Sequence, residues 1–453
     1  MDQEKVESQS VTADLNRVLG RKELFSMAAG QIIGAGIMAL VGIGIAMTGR
    51  SVNLAFIIAA LFTIAMAIPM VYLGGTLRLR GGNYSQMGLL MGKLFAGAYI
   101  VVYIVSNISL AIYSISFAQY FIGLTGIAID PIIVAAACMT LFYVLNLFGI
   151  QGAAFLQNAM VACLALALII FMAFGVGKIN WTGAFGGTAD WMTGGLNGLF
   201  MTAALLTYAT GGATVVINFG AEAKNPTKDI PFVIIASTLS ISVVYAIMST
   251  IAAGVLPIAE VAGKPLLLVA RAILPAGFYE FFIIGGAMFA LTTTLNATLS
   301  WVTKPLLQAT VDGWFPAVFG KISKYKTPTV WLTLFYVMGM IPILFSIDLG
   351  TVTTLALIIG YIFGVVISLS IVNLPKKVPE IWAASKMHCS TGMLWAVGLI
   401  GAGSGFAQFL ILSLNQETWV WWGNLILVVF AFSYSYFRIK SGKVHMEISY
   451  EAA

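Results

Sequence analysis

The stretch Gly30-Gln31-Ile32-Ile33-Gly34-Ala35-Gly36-Ile37-Met38 lies in the middle of the first long apolar segment, about Leu24 to Thr48. A helix that crosses a bilayer normally keeps every backbone group hydrogen bonded within itself, because lipid offers no other partner. Each glycine weakens such a helix by up to about 1 kcal/mol relative to alanine and lets the backbone leave the helical region. Three glycines within seven residues therefore predict a break in a membrane helix.

A break of this kind exposes backbone groups that can bind a ligand. The amides of the outer half-helix favour a carboxylate, and unwound carbonyls favour an ammonium or a metal cation. Close helix packing is the alternative, since it also uses small residues at this spacing. A second glycine pair, Gly211-Gly212, interrupts the sixth apolar segment (about Leu196 to Phe219) and favours the break. Interruptions at matching positions of two halves indicate a site between inverted repeats.

The composition defines a membrane protein. Of the 453 residues, 60% are hydrophobic and 9% are charged, and the mean hydropathy is +0.97. A soluble protein carries about 25% charged residues. Since a helix needs about 20 residues to cross a bilayer, the sequence predicts about twelve spans, centred near Ile37, Ile64, Ile108, Thr140, Leu166, Leu205, Val243, Leu291, Val337, Leu357, Ile400 and Leu427.

The distribution of basic residues predicts the orientation. If the N-terminus is inside, the inner segments hold 19 of the 23 basic residues. This bias follows the positive-inside rule, so both termini are expected in the cytoplasm and the chain in the plasma (inner) membrane. The excess of basic residues is explained by the orientation of the chain in the membrane. We therefore expect the protein to contact the lipid bilayer and not nucleic acid.

Cysteine and histidine usage argues against an enzyme or a disulfide-linked assembly. Cys138, Cys163 and Cys389 have no metal-ligand spacing and fall in apolar spans or at their edges, as expected for small buried hydrophobes. The two histidines are far apart, and neither a catalytic set nor a cofactor motif is visible. The predicted outer loop at residues 125–131 lacks cysteine, so no disulfide-linked heavy chain is expected.

Four motifs in order resemble the amino acid–polyamine–organocation (APC) superfamily of transporters. In that family span one reads G-x-I-I-G-[STA]-G-I-F, and this chain has GQIIGAGIM from Gly30. The other three motifs lie at the end of span two, in and after span six, and in and after span eight, and this chain departs from them at Tyr72, Thr210 and Ala213. The residues that match are, for span two, Gly74, Gly81, Gly82 and Tyr84; for span six, Tyr208, Ala209, Gly212, Glu222, Asn225, Pro226, Lys228, Ile230 and Pro231; and for span eight, Thr292, Thr293, Lys304, Asp312, Gly313, Phe315 and Pro316.

The resemblance implies an all-α membrane protein of the LeuT type. It would have about 12 transmembrane helices, with discontinuous helices 1 and 6 in a five-plus-five inverted repeat and two extra C-terminal helices. The corresponding segments are a cytoplasmic tail at 1–22, a transporter domain at 23–438 (repeats about 24–178 and 194–374, extra helices about 389–438) and a second cytoplasmic tail at 439–453.

The resemblance also implies the substrate contacts. The amides of Ala35 and Gly36 would bind a carboxylate, the carbonyls of Ile32, Tyr208 and Gly211 would bind an ammonium, and Tyr208 would act as the gating aromatic. Asn107 is added as a polar group in the middle of span three. The complete predicted substrate site is Ile32, Ile33, Gly34, Ala35, Gly36, Asn107, Tyr208, Ala209, Gly211 and Ala213.

Ion coupling is where the chain departs most from the family. Several members place a lysine in span five, and this chain has Leu164 at the aligned position. Sodium-coupled relatives of the fold bind the ion between spans one and eight, which here corresponds to Gly30, Ile33, Phe289, Thr292 and Thr293. Sodium coupling therefore stands beside ion-independent exchange and proton coupling through another group. The threonines also have a purely structural explanation, because hydroxyls in membrane helices commonly bond back to their own helix.

The function predicted from these observations is secondary transport of an amino acid by alternating access. A carrier of polyamines or other organic cations is the near alternative, but a buried cation needs a carboxylate partner. The sequence has no Asp or Glu in the middle of a predicted span, which favours neutral side chains. A channel and a membrane-embedded enzyme are the alternatives from other classes.

Overall fold

The computed structural model of the chain describes residues 19–79, 82–148, 154–185, 190–219, 223–325, 327–446, 448 and 450–452. Within these ranges the chain is helical, apart from its connections and one short two-stranded ribbon. This follows from the long uncharged runs, because a helix satisfies its backbone polar groups without water. The helices before the second predicted break are α1 (Arg21–Ile32), α2 (Ala35–Thr48), α3 (Val52–Gly74), α4 (Gly82–Met91), α5 (Lys93–Ser106), α6 (Leu110–Thr125), α7 (Pro131–Leu147), α8 (Ala154–Val176), α9 (Trp181–Phe185) and α10 (Gly195–Thr210).

The later helices are α11 (Pro226–Gly254), α12 (Ile258–Val261), α13 (Leu267–Ile273), α14 (Phe278–Phe281), α15 (Phe289–Trp301), α16 (Lys304–Val311), α17 (Thr329–Leu344), α18 (Leu349–Ser370), α19 (Leu374–Lys377), α20 (Pro379–Ala384), α21 (Thr391–Leu414) and α22 (Thr418–Lys440). Four non-α segments of the described residues lie inside spans, and one of them is the 3₁₀ segment Ile371–Asn373 between α18 and α19. Asn107–Ser109 and Ala213–Phe219 are 3₁₀-helical, and Phe282–Met288 is π-helical. Short 3₁₀ and π stretches inside helices often mark hinges or functional sites.

Eight helical segments of the described residues are long and apolar enough to cross a membrane. The pair α1 and α2 adds one span that is bent by 41° at its break. Three shorter apolar helices, at Pro131–Leu147, Ala162–Val176 and Thr329–Leu344, lie at predicted positions of spans four, five and nine. The multi-pass helical class is therefore confirmed, whereas the total of twelve spans, the inverted repeat and the segment limits stay predictions.

The two interrupted spans are tied together by backbone bridges near both ends. Before α1, Leu19 pairs with Ala223, which follows the interrupted sixth span. At the other end, Gly49 after α2 pairs with Trp191 before α10. Since α2 also packs along α10, these bridges hold the two spans side by side over their whole length.

The segment after α22 is docked on the protein. Strand β1 (Leu77–Leu79) pairs antiparallel with strand β2 (Tyr450–Ala452). Val444 is 8% exposed, and Met446 and Ile448 lie against Gly88 of α4. The described part of the predicted cytoplasmic tail at 439–453 is therefore folded against the protein at Val444, Met446, Ile448 and strand β2.

A polar cluster fixes this segment to the loop after α16. The backbone amide of His445 donates to the Asp312 carbonyl at 2.9 Å, and the Tyr84 hydroxyl donates to the Asp312 carboxylate at 2.5 Å. Burial and the bond to Asp312 raise the pKa of Tyr84 above its ordinary value, so the hydroxyl keeps its proton at physiological pH. The motif residues Asp312 and Tyr84 are thus structural partners.

Candidate functional site

The first break is an inverse γ-turn centred on Ile33. Ile33 has φ −78° and ψ 68°, and the Gly34 amide donates to the Ile32 carbonyl at 2.8 Å. These are the angles and the bond of that turn. Helix α1 ends at Ile32 and α2 begins at Ala35, so the predicted interruption lies where the glycine pattern placed it. The first amides of α2, including those of Ala35 and Gly36, lie at the positive end of a helix dipole.

The second break falls at Gly211 and Gly212. Helix α10 ends at Thr210, Gly211 is extended (φ −75°, ψ 174°), and Gly212 has φ +110°, a conformation that favours glycine. The chain continues as the 3₁₀ segment Ala213–Phe219. The sixth span is therefore interrupted as predicted, although its second half is a 3₁₀-helix and not an α-helix.

The two breaks lie against each other. A Cβ atom built on Gly36 would come within 2.5 Å of Ala209 Cα, and one built on Gly212 would lie 3.1 Å from Gln31 Cγ. Real Cβ contacts are longer than the first distance, so glycine is needed for the approach of α2 to α10. The predicted residues of spans one and six are thus brought together in one region.

Span eight reaches the first break through Thr294. A Cβ atom on Gly34 would lie 2.6 Å from the Thr294 hydroxyl oxygen. The family resemblance implies Thr292 and Thr293 as ligands on this side of the site, and Thr294 is not among the predicted site residues. The contact therefore adds Thr294 to the residues that surround the first break.

The proposed sodium ligands are engaged with one another. The Thr293 hydroxyl donates to the Phe289 carbonyl at 2.7 Å, and the Thr292 hydroxyl donates to the Met288 carbonyl at 2.8 Å. A third bond, from the Thr292 hydroxyl to the Phe289 carbonyl, measures 3.3 Å. All three are bonds from a threonine hydroxyl to a carbonyl of its own helix, as expected if these threonines have a structural role. These bonds use the hydroxyl protons and leave lone pairs on the hydroxyl oxygens, so the sodium site stays a prediction.

The Tyr208 side chain bonds to span three. Its hydroxyl lies 3.1 Å from the Tyr113 hydroxyl and donates to it. Tyr113 is 8% exposed and belongs to α6, directly after the 3₁₀ segment. Tyr113 is not among the predicted site residues, because an isolated tyrosine in an apolar span carries no spacing signal.

Asn107 and Ala213 occupy buried positions. The Asn107 side-chain amide donates to the Tyr103 carbonyl at 2.7 Å, a bond within its own span. Ala213 is 2% exposed and Ala209 is fully buried. Roles for these residues in a substrate pocket stay predictions.

The position of the absent lysine is apolar. Leu164 on α8 is 3% exposed and belongs to the hydrophobic core. A leucine cannot carry a proton or replace a cation. Glu222 and Gly81, two of the motif residues, lie outside the described residues.

The site therefore belongs to a multi-pass membrane protein with two adjacent interrupted spans. The sequence profile of the amino acid permease family matches residues 19–442. The chain belongs to the amino acid permease family, within the APC superfamily. It is a transporter and not an enzyme.

Three curated relatives show the range of this similarity. The chain is 28% identical to the branched-chain amino acid permease of Bacillus subtilis, over 92% of each chain. It is 25% identical to the methylthioribose transporter of the same organism, over 95% of this chain and 96% of the relative. It is also 24% identical to the aromatic amino acid transport protein of Corynebacterium glutamicum, over 84% of this chain and 86% of the relative.

Proposed function

We propose that this protein is a secondary carrier of amino acids with neutral side chains, working by alternating access. The observation that carries the proposal is the contact of the two breaks, at Gly36 with Ala209 and at Gly212 with Gln31. Two interrupted helices side by side present backbone amides, which carry partial positive charge, and backbone carbonyls, which carry partial negative charge, within one small region. That arrangement suits a molecule with both a carboxylate and an ammonium group.

The amides of Ala35 and Gly36 would bind the carboxylate, and the carbonyls of Tyr208 and Gly211 would bind the ammonium. Tyr208 would close the site from one side, together with Tyr113. The preference for neutral side chains is supported by the absence of Asp and Glu from the middle of the predicted spans. The similarity to a branched-chain amino acid permease points the same way.

A carrier of another small organic molecule is the second candidate. The similarity to a methylthioribose transporter favours it, because that relative covers as much of the chain. A polyamine would need a carboxylate in the pocket, and it is disfavoured for that reason. We further propose a plasma-membrane location with both termini in the cytoplasm, on the distribution of basic residues.

The experiment is uptake into proteoliposomes of purified protein. Each of the twenty amino acids, putrescine and methylthioribose is offered as labelled substrate, and counterflow is measured with unlabelled substrate inside. Saturable counterflow of a neutral amino acid supports the proposal. Transport of methylthioribose alone would support the second candidate, and linear flux without counterflow would indicate a channel.

Coupling is tested in the same vesicles by varying sodium, the proton gradient and internal substrate one at a time. A sodium-coupled carrier is expected to lose sodium dependence in the Thr293→Ala variant. The matched control is Thr353→Ala, because Thr353 of α18 is also buried and donates to its own helix, at the Leu349 carbonyl, 2.7 Å away. Full uptake in sodium-free, pH-clamped buffer would exclude the sodium site.

A further inference from the structure

The carbonyl of Ile32 accepts two hydrogen bonds. One comes from the Gly34 amide at 2.8 Å and closes the γ-turn, and the other comes from the Tyr245 hydroxyl at 2.9 Å. A carbonyl oxygen has two lone pairs, so both are in use. Carbonyls at the end of a helix lack partners within that helix. Tyr245 therefore supplies from another span the partner that the interruption of α1 removes.

The Tyr245 side chain is held in place. It is fully buried, and its ring packs edge-to-face on Phe56 of α3, with the ring centroids 5.6 Å apart. Its helix α11 packs along both α1 and α3. The hydroxyl is thus fixed by its surroundings before any ligand arrives, as required of a group that orients a binding site.

A second contact ties α11 to the other end of α1. The Arg21 guanidinium lies 2.9 Å from the carboxylate of Asp229, which is 5% exposed. Because α11 contacts α1 at Arg21 and again at Ile32, both ends of α1 are held against α11. The second of these contacts lies at the γ-turn itself.

We propose that Tyr245 is a positioning residue for the substrate site, and that the Ile32 carbonyl is its anchor and not a substrate ligand. This rests on the proposed function. By fixing the γ-turn, Tyr245 sets the direction of the first amides of α2, which receive the substrate carboxylate. The ammonium is then bound by the carbonyls of the second break. This replaces the role of Ile32 that the family resemblance implies.

The chain offers a matched control for Tyr245. Tyr120 of α6 is also fully buried, and its hydroxyl donates to the Met38 carbonyl of α2 at 2.8 Å. Met38 lies inside a regular helix, where its carbonyl also has the usual partner four residues later. Both Tyr→Phe changes therefore remove one bond from a buried tyrosine to the same broken span. Only Tyr245→Phe removes it from the break.

The first measurement is independent of transport. Hydrogen–deuterium exchange of the peptide covering residues 33–38 is followed in reconstituted wild type, Tyr245→Phe and Tyr120→Phe. We expect exchange in this peptide to be at least about tenfold faster in Tyr245→Phe, because a buried carbonyl loses a partner. We expect little change in Tyr120→Phe. Equal protection in wild type and Tyr245→Phe would overturn the proposal.

The second measurement uses uptake kinetics of L-leucine and inhibition by L-leucinamide, which lacks the carboxylate. In Tyr245→Phe the KM for leucine should rise about tenfold with the maximal rate nearly unchanged, and inhibition by leucinamide should stay the same. A parallel loss for both compounds would mean a purely structural role. If wild type transports no amino acid, the proposed function fails, while the exchange experiment still decides whether Tyr245 holds the break.

Discussion

Gly36 lies so close to Ala209 that a Cβ atom on the glycine would come within 2.5 Å of both the Cα and the Cβ atom of the alanine. The contact joins the first span to the sixth at the level of the breaks. A methyl group there would meet backbone, which cannot move aside as a flexible side chain can. The separation of α2 and α10 is thus set by the absence of one side chain.

The first prediction concerns this contact. Gly36→Ala should lower the free energy of unfolding by about 1–3 kcal/mol, since a methyl group is forced into a filled space, and should abolish most amino acid uptake. Thermal melting in detergent and initial uptake rates measure the two effects. Gly403→Ala on α21 is the control, because a Cβ atom there meets no heavy atom within 4 Å. Normal uptake by Gly36→Ala at normal expression would show that the helices can separate without loss of the site.

The second prediction couples Gly34 to Thr294. Gly34→Ala should impair uptake, because its Cβ atom would lie 2.6 Å from the Thr294 Oγ1 and 3.1 Å from its Cγ2. Adding Thr294→Ala removes both atoms, so the double variant should recover part of the lost uptake. The four proteins of this double-mutant cycle are compared at equal amounts in vesicles. Losses that simply add would contradict a direct contact.

The third prediction addresses the hydroxyl pair of Tyr208 and Tyr113. Each Tyr→Phe change should reduce the uptake rate about three- to tenfold, the value of one ordinary hydrogen bond. The double variant should be no worse than either single variant, because both changes remove the same bond. Tyr336→Phe is the control, as its hydroxyl bonds to Thr140 on α7. A much larger loss in the double variant would show that the hydroxyls act separately.

The fourth prediction concerns the docked segment after α22. Val444→Asp should release it, since burial of a valine side chain contributes about 1.5–3 kcal/mol and a carboxylate cannot be buried there without a partner. Trypsin should then cleave after Lys443 faster than in wild type. His445→Ala is the control, because the His445 side chain is exposed and its backbone bond to Asp312 remains. Unchanged cleavage of Val444→Asp would mean that the strand pair alone holds the segment.

The positions of both breaks could be predicted from the sequence for a local reason. Glycine lowers helix stability wherever it occurs, so clusters of it in an apolar run mark weak points without knowledge of the neighbours. The spans are similarly local, because length and hydropathy alone determine whether a helix fits a bilayer. This explains why the interruptions at Ile33–Gly34 and Gly211–Gly212 lie where the sequence placed them.

The partners of the breaks could not be predicted, because they depend on how distant spans meet. Tyr245 reaches the Ile32 carbonyl from 213 residues away. Thr294 of α15 meets Gly34 from 260 residues away. The family resemblance selected Thr292 and Thr293 for a sodium ion, and it makes no prediction about the side chain that packs on Gly34.

The ribbon of β1 and β2 has a consequence for biogenesis. The ribosome makes residues 77–79 about 370 residues before their partner strand at 450–452. While the intervening spans are inserted, the edge of the earlier strand lacks that partner. The surface around Gly88 and Asp312 is therefore completed only after the spans between the two strands have been synthesised.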